Sequence, residues 1–170
     1  QILANTIVKE NAEALIEACD LIAGPQVRNT ATLGGNVAHE LPAADGTIAL
    51  AALGASAEIA NRGGLRKIPF LELFLGPGKS AIDKTCELIA GFYIPLSHKG
   101  QASAFKRIMR PQGVALPILN CAVWLEREEI TVKDVRIAIG PGGPTPFRAT
   151  AAEATMRNQI LNDELLGEAV

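Results

Sequence analysis

The sequence predicts an α+β protein, in which helices and strands occur in separate runs along the chain. Apolar residues with helical spacing occur over residues 11–22 and 47–53, and helical composition returns over residues 148–161. Apolar and polar residues alternate between residues 87 and 139, where glycine, proline or charged turns separate the alternating segments. Runs of strands beside runs of helices, without strict alternation of the two, indicate the α+β class.

The first predicted helix spans residues 11–22, where the apolar side chains fall on one face and Asn11 is the candidate N-cap. A Gly-Pro pair follows and ends it. A second, short helix is predicted over residues 47–53, with Asp45 as its candidate cap. These two helices flank a segment rich in glycine and hydroxyl side chains.

A β-hairpin is predicted next, from strands at residues 57–60 and 65–69 joined by an Asn-Arg-Gly-Gly loop. A helical turn follows up to Phe74. Four longer strands then carry the alternating pattern, with a hairpin at residues 127–129 between the last two. These strands are predicted at residues 87–94, 103–109, 115–126 and 132–139.

The C-terminal part is predicted to be a rigid glycine- and proline-rich link at residues 140–146, a helix at 148–161 and a last amphipathic segment capped by Asp163. A change of pattern near residues 98–112 divides the chain. We place the boundary between a first domain at residues 1–105 and a second at residues 106–170.

Composition limits the classes of function. Of the 170 residues, 48% are apolar and 20% are charged, which is typical of a globular domain with a buried core. The net charge of −2 argues against nucleic acid as a partner, and no apolar run approaches a membrane span. The three cysteines lie far apart without a Cys-x-x-Cys pair, so we predict small buried thiols in a reducing, cytoplasmic setting, and no metal site.

The segment Gln26–Asn36 is the strongest candidate for a ligand site. Gly34 and Gly35 lack a Cβ, so their backbone can adopt positive φ and can lie against a ligand. Thr32 and Asn36 flank them with donors and acceptors that suit a phosphate or a polyol chain. A plain tight turn between two elements is the alternative interpretation.

Other ionisable residues allow two interpretations each. Asp45 either caps the second helix or accepts hydrogen bonds from ribose or ribityl hydroxyls, and the two roles are compatible. Arg28 either pairs with a carboxylate and fixes the glycine loop or is solvated. Strand alternation places Lys106 on the face opposite Phe105, where it either holds a ligand anion or is an ordinary edge-strand lysine. His39 and His98 lack neighbours for a triad, so no catalytic residue is assigned.

The segment Gln26–Asn36, with Pro42-Ala-Ala-Asp45 after it, resembles the second FAD-binding motif of the flavin subunits of molybdenum hydroxylases. This family includes the medium subunit of carbon monoxide dehydrogenase and the FAD domain of xanthine dehydrogenase. The resemblance continues through Phe70–Gly76 and Ser103-Ala-Phe-Lys106, and it ends with Gly143–Ala149. Nearly the whole chain is covered by these motifs, which occur in the family's order.

The resemblance implies the second FAD-binding subdomain of the PCMH-type fold, followed by a small CO-dehydrogenase-flavoprotein C-terminal domain. It implies that the glycine motif contacts the pyrophosphate and ribityl chain of FAD, that Asp45 contacts a hydroxyl, and that Lys106 lies by the flavin ring. Apolar contacts to FAD are implied for Ile22 and Ile89. The cofactor-binding residues are thus predicted to be Ile22, Thr32, Leu33, Gly34, Gly35, Asn36, Asp45, Ile89 and Lys106.

The implied function is that of an oxidoreductase subunit that relays electrons through FAD to NAD or another acceptor. The resemblance places the molybdenum cofactor on a large molybdopterin-binding partner subunit and the 2Fe-2S clusters on a small iron–sulfur partner subunit. The family's first motif, an Ala-Gly-Gly loop on an N-terminal subdomain, has no counterpart in this sequence, so we expect the chain to lack that part of the cradle. Two other functions stay open: a stand-alone FAD oxidase of the same fold, and an interaction module that has lost its flavin.

Overall fold

The structure is a computed structural model that describes residues 1–110 and 116–169. It has the predicted α+β architecture. Helices dominate the first third, and a 3-10 turn at Ile2–Ala4 precedes them. The helices are α1 (Thr6–Asn11), α2 (Glu13–Asp20), α3 (Pro25–Thr30), α4 (Leu33–Ala38), α5 (Asp45–Ala52), α6 (Thr150–Met156) and α7 (Asp163–Glu168). No helix in the described ranges is long and apolar enough to cross a bilayer.

The strands form antiparallel sheets. The first sheet has three strands in the order β2-β1-β5, the second pairs β3 with β4, and the third has four strands in the order β6-β7-β8-β9. The strands are β1 (Ser56–Asn61), β2 (Gly64–Pro69), β3 (Phe74–Gly76), β4 (Lys79–Ser80), β5 (Leu88–Tyr93), β6 (Gln101–Met109), β7 (Pro117–Glu128), β8 (Thr131–Gly140) and β9 (Phe147–Arg148).

The six predicted strands are confirmed to within two residues at each end. Residue 115, where the prediction began one strand, lies outside the described residues. The 3-10 turn at Phe70–Leu73 and the hairpin between β7 and β8 also lie where the sequence placed them, and Glu129 in the hairpin has a left-handed φ of 51°. Strand alternation is a local property, so the sequence records it directly.

One large core joins the two halves of the chain. Its centre is α5, every residue of which is buried. The third sheet contributes Phe105, Ala122, Trp124 and Ala138 to the same cluster. A smaller cluster of Val132, Val135, Met156 and Leu165 forms where α6 and α7 cover the other face of β8.

Helix α2 lies along the edge of β6. Ser103 Oγ accepts a hydrogen bond from Ala14 N at 3.1 Å, and the Glu17 carboxylate accepts one from Phe105 N. Two backbone donors, one at the start of the helix and one on the strand edge, are satisfied in this way. The predicted boundary between residues 105 and 106 falls inside β6, and where the chain divides into domains stays a prediction.

Three predicted helix caps are wrong. Asn11 is the last residue of α1, and its side-chain oxygen accepts a hydrogen bond from Ser97 N at 2.9 Å. It therefore holds a segment that is distant in the sequence and does not cap α2. Asp45 is the first residue of α5 and makes no capping hydrogen bond, because its carboxylate pairs with Arg107. Asn162, and not Asp163, caps α7 by accepting from Leu165 N at 2.8 Å.

Two further predictions need correction. The helix predicted over residues 148–161 ends at Met156, because Asn158 takes a left-handed φ of 62° and Ile160 then bridges Thr131. The cysteines were expected to be buried, but Cys86 is exposed, since it lies in the loop before β5. All three thiols are free.

A buried ion pair connects the third sheet to α5. Arg107 Nη1 donates to Asp45 Oδ2 at 2.7 Å, and each side chain is only 7% exposed. Burial raises the pKa of Asp45 above its usual value, although the charge and hydrogen bond of Arg107 act in the opposite direction. Thr47 Oγ1 and Asn120 Oδ1 are also buried, and neither has a hydrogen-bond partner among the described residues.

We expect the Arg107→Met substitution to destabilise the protein by about 3 kcal/mol at neutral pH, because it leaves a buried carboxylate unpaired. The substitution removes a group that lowers the pKa of Asp45, so this pKa rises further in the folded state. The loss of stability caused by Arg107→Met should therefore become smaller as the pH falls and the Asp45 carboxyl becomes protonated. Urea unfolding at several pH values measures this, with Asp45→Asn/Arg107→Met as the control that recovers part of the loss at pH 7.

Candidate functional site

The glycine motif is helical. Thr32 is the N-cap of α4, and its Oγ1 accepts a hydrogen bond from Gly35 N at 2.9 Å. Gly34 and Gly35 lie in the first turn of this six-residue helix and do not adopt the positive φ that their residue type allows. The glycines therefore lie in a capped helix and not in a plain tight turn, and ligand binding by this segment stays a prediction. Thr32 was predicted as a ligand-binding residue, and its role as a cap was missed.

The two glycines differ in their surroundings. A Cβ on Gly35 would lie 3.1 Å from Thr32 Oγ1 and would press on the cap. A Cβ on Gly34 would come no closer than 4.0 Å to its nearest neighbours, Ile89 O and Thr32 Oγ1. A Cβ at Gly34 would therefore make only ordinary contacts with the protein.

A third glycine lets α4 approach α5. A Cβ on Gly46 would lie 2.7 Å from Leu33 Cδ1 and 2.9 Å from Asn36 Oδ1, which are too close for real contacts. The side chains of α4 therefore pack directly on the backbone of α5. The sequence analysis did not single out Gly46.

Arg28 fixes the chain before the motif. Its Nη1 donates to Ile22 O at 2.9 Å and to Ala23 O at 2.7 Å, and Ala23 has a left-handed φ of 42°. Arg28 thus matches neither alternative fully: it is half-buried and holds the chain before the motif, but its partners are carbonyl oxygens and not a carboxylate. A guanidinium has several N–H donors, so it can satisfy the hydrogen-bonding capacity of two carbonyl oxygens just beyond the end of a helix.

Two clefts adjoin α4. The first, of about 640 Å³, is lined by residues 1–3, by residues 27–33 and by Cys19, Ile22, Gly35 and Asn36. Its volume is within the range of about 300–1,000 Å³ that is usual for small-molecule sites. Burial, with the Asp45 charge as a smaller cause, raises the pKa of Cys19 in its wall to about 11, so this thiol is neutral.

The second cleft, of about 350 Å³, lies between α4 and the segment before β5. From the α4 side it is lined by Thr32, Gly34, Gly35, Ala38 and Glu40, and from the other side by Ile82, Lys84, Glu87, Leu88 and Ile89. Hydrogen bonds from Arg66 lower the pKa of Glu87 to about 2. Glu87 is therefore anionic, and its charge is balanced by Arg66 at 2.8 Å.

Seven of the nine predicted cofactor-binding residues line one cleft or the other, and Thr32 and Gly35 line both. The seven are Ile22, Thr32, Leu33, Gly34, Gly35, Asn36 and Ile89. Asp45 and Lys106 line neither cleft within the described part of the chain. Their contacts to a cofactor stay predictions.

Asp45 and Lys106 have partners inside the protein. The carboxylate of Asp45 faces Arg107, as described above. The Lys106 side chain is 86% exposed, and its Nζ lies 3.5 Å from Glu17 Oε1. The predicted alternation is confirmed, since Phe105 is buried and Lys106 lies on the opposite face.

The sequence analysis missed a charged pair in the second cleft. Glu40 is 4% exposed and its Oε2 lies 3.0 Å from Lys84 Nζ. No local pattern brings these residues together, because they belong to segments that meet only in the fold. The two histidines, for which a catalytic role was disfavoured, are both exposed.

Residues 1–97 match the family described as the FAD binding domain in molybdopterin dehydrogenase, and residues 103–170 match the CO dehydrogenase flavoprotein C-terminal domain. The chain belongs to this family of flavin-binding subunits. The resemblance that the motifs indicated is confirmed.

The relatives are subunits of larger enzymes. The chain is 32% identical over 168 residues to a putative xanthine dehydrogenase FAD-binding subunit of Escherichia coli (strain K12), covering 98% of this chain and 57% of the relative. It is 30% identical over 169 residues to the carbon monoxide dehydrogenase medium chain of Hydrogenophaga pseudoflava, covering 99% and 57%. The chain thus spans little more than half the length of these relatives.

A solved structure of carbon monoxide dehydrogenase from Hydrogenophaga pseudoflava, which lacks the Mo-pyranopterin moiety of the molybdenum cofactor, has the same fold. The TM-score is 0.92 at 30% identity, and the match covers 99% of this chain and 58% of that chain. The predicted fold class is therefore confirmed.

We expect Thr32→Ala to destabilise the protein by about 1 kcal/mol, because the alanine cannot accept the capping hydrogen bond from Gly35 N. Helix α4 depends on this cap because its two glycines disfavour a helix. Thr32→Ser keeps the capping oxygen and should be close to wild type. Thermal unfolding of the three proteins measures the difference. Equal stability of the alanine variant and the wild type would contradict the assigned cap.

Proposed function

We propose that this chain is the FAD-binding part of a flavin subunit of a molybdenum hydroxylase. One observation carries the proposal: Gly34 lines a cleft and has room for a Cβ, in a chain whose first 97 residues match an FAD-binding family. A glycine whose missing Cβ would make only ordinary contacts of 4.0 Å, and whose backbone lines a cleft, lets a ligand come close to the main chain. The residues present therefore fit FAD.

Each predicted residue has a proposed part in holding FAD. Thr32, Leu33, Gly34, Gly35 and Asn36 contact its pyrophosphate and ribityl chain. Ile22 and Ile89 supply apolar contacts from the walls of the two clefts. Lys106 contacts the flavin ring, which requires that part of the cofactor extend beyond the two clefts. Asp45 contacts a hydroxyl, which also requires that its carboxylate become accessible when FAD binds, because its side chain is only 7% exposed.

The proposed function is electron relay. When bound, FAD accepts electrons singly and can release them in pairs, which suits a link between iron–sulfur clusters and a two-electron acceptor. The chain's own residues bind and orient the cofactor, and the cation of Lys106 would favour its reduced anionic form. The acceptor is NAD or another oxidant.

The proposed partners are a large molybdopterin-binding subunit and a small iron–sulfur subunit. Subunits of xanthine dehydrogenase and carbon monoxide dehydrogenase among the relatives support this assembly. In the described ranges, no group of three or more His, Cys, Asp or Glu side chains could hold a metal ion. We propose a cytoplasmic location for the complex.

The first test is the visible absorption spectrum of the natural protein, purified together with its bound partners. We expect flavin bands over broad iron–sulfur absorption, and molybdenum by elemental analysis. Flavin bands without iron or molybdenum would support the stand-alone oxidase instead. A colourless protein without partners would contradict both and favour the interaction module.

We expect Gly34→Val to weaken FAD binding by about 1–3 kcal/mol, the usual penalty for overfilling a packed space. The protein tolerates a Cβ at this position, so the unfolding temperature should stay close to that of the wild type. Fluorescence titration with FAD and thermal unfolding measure the two effects. The control is Gly167→Val in α7, where a Cβ would meet no atom within 4 Å. Retention of FAD at wild-type affinity in Gly34→Val would overturn the cradle.

We expect Lys106→Ala to keep FAD but to lower its reduction potential, because a positive charge near the ring stabilises the reduced anion. Spectroelectrochemical titration of the flavin measures the potential. Lys133→Ala is the matched control, since Lys133 is another exposed lysine of the third sheet and pairs with Glu128 at 2.7 Å. An unchanged potential in Lys106→Ala would remove Lys106 from the site.

A further inference from the structure

The second cleft contains a buried carboxylate that the proposed cofactor contacts do not explain. The Glu40 side chain is only 3% exposed, and its backbone has a φ of 60°, in the left-handed region. Burial of a charge and a left-handed conformation in a non-glycine residue both oppose folding. Residues held in this way cluster at ligand sites, where the strain serves binding.

The charge opposite Glu40 belongs to an exposed lysine. Lys84 Nζ lies 3.0 Å from Glu40 Oε2, and the Lys84 side chain is 64% exposed. The contact lacks hydrogen-bond geometry, and Oε2 has no hydrogen-bond donor among the described residues. Glu40 therefore holds the ammonium by charge, and the N–H donors of Lys84 that point away from Glu40 can reach a ligand at the mouth of the cleft.

The nearby acids are already engaged. Glu87 accepts two hydrogen bonds from Arg66, at 3.0 and 2.8 Å. Asp83 Oδ1 accepts from the N and Oγ1 of Thr85 at 2.9 and 2.6 Å. Among the described residues that line the second cleft, Lys84 is the only cation.

We propose that Lys84 binds an anionic group of the cofactor in the second cleft and that Glu40 is its positioning residue. The inference rests on the proposed function, because the anion is a phosphate of the FAD held at Thr32 and Gly34. Lys84 lines the same cleft as these two residues. A lysine side chain loses much rotamer freedom on binding, and a buried carboxylate that restrains it beforehand reduces that loss.

A structural tie is the competing explanation, since the same ion pair also fastens the segment after α4 to the loop before β5. The two explanations differ in their response to salt. A phosphate contact makes FAD affinity depend on ionic strength, whereas a tie acts on stability alone.

The experiment measures the FAD dissociation constant at low and high salt, and the unfolding temperature, in the natural full-length protein. We expect Lys84→Met to weaken FAD binding about tenfold at low salt, as for loss of a charged hydrogen bond. Lys84→Met should also reduce the salt dependence of the FAD affinity. Lys84→Arg should retain most of the affinity and most of its salt dependence. Glu40→Gln should weaken binding less than Lys84→Met, because the ammonium remains but is no longer held.

The matched control is Lys133→Met, which removes a lysine of another ion pair that lines neither cleft. A lower unfolding temperature in Lys84→Met, with affinity and salt dependence unchanged, would overturn the proposal and establish the tie. If Gly34→Val loses FAD while Lys84→Met keeps it, this inference fails and the proposed function stands. If the wild-type protein binds no FAD, the proposed function fails as well.

Discussion

The ion pair between Arg107 and Asp45 is the interaction on which the arrangement of the molecule depends. Both side chains are almost completely buried, and they join β6 of the third sheet to the first residue of α5. A buried charge without its partner is far less favourable than the pair, so the two elements are tied to one geometry. Because α5 is the centre of the core, this tie fixes the first half of the chain against the second.

The packing of α4 on this core determines the position of the candidate site. Helix α4 has only six residues and two glycines, which is too short to be stable by itself. It is held by the Thr32 cap at one end and by close packing on Gly46 of α5. Gly34, which lines the second cleft, is therefore held in place by this cap and by this packing.

The two sides of the second cleft show how charge is distributed around this support. Arg66 balances Glu87 on one strand edge, while the buried Glu40 faces the exposed Lys84. Both acids of the cleft thus have a cationic partner, and of the two cations Lys84 is the one that lines the cleft, with a side chain that is 64% exposed. The family relationship indicates FAD as the ligand, and the arrangement of these charges adds a residue pair that the motif does not contain.

The sequence by itself determined the α+β class, the six strands and the family, because strand alternation and contiguous motifs are local properties of the chain. It also identified seven residues that line the two clefts. Only the tertiary structure decided that Thr32 caps a helix, that Asp45 pairs with Arg107, that Asn11 binds Ser97 and that Glu40 meets Lys84. Apart from the Thr32 cap, these contacts join groups from distant segments of the chain, and the packing of those segments brings the partners together. A sequence pattern records which residues can pair, whereas the packed core decides which of them do.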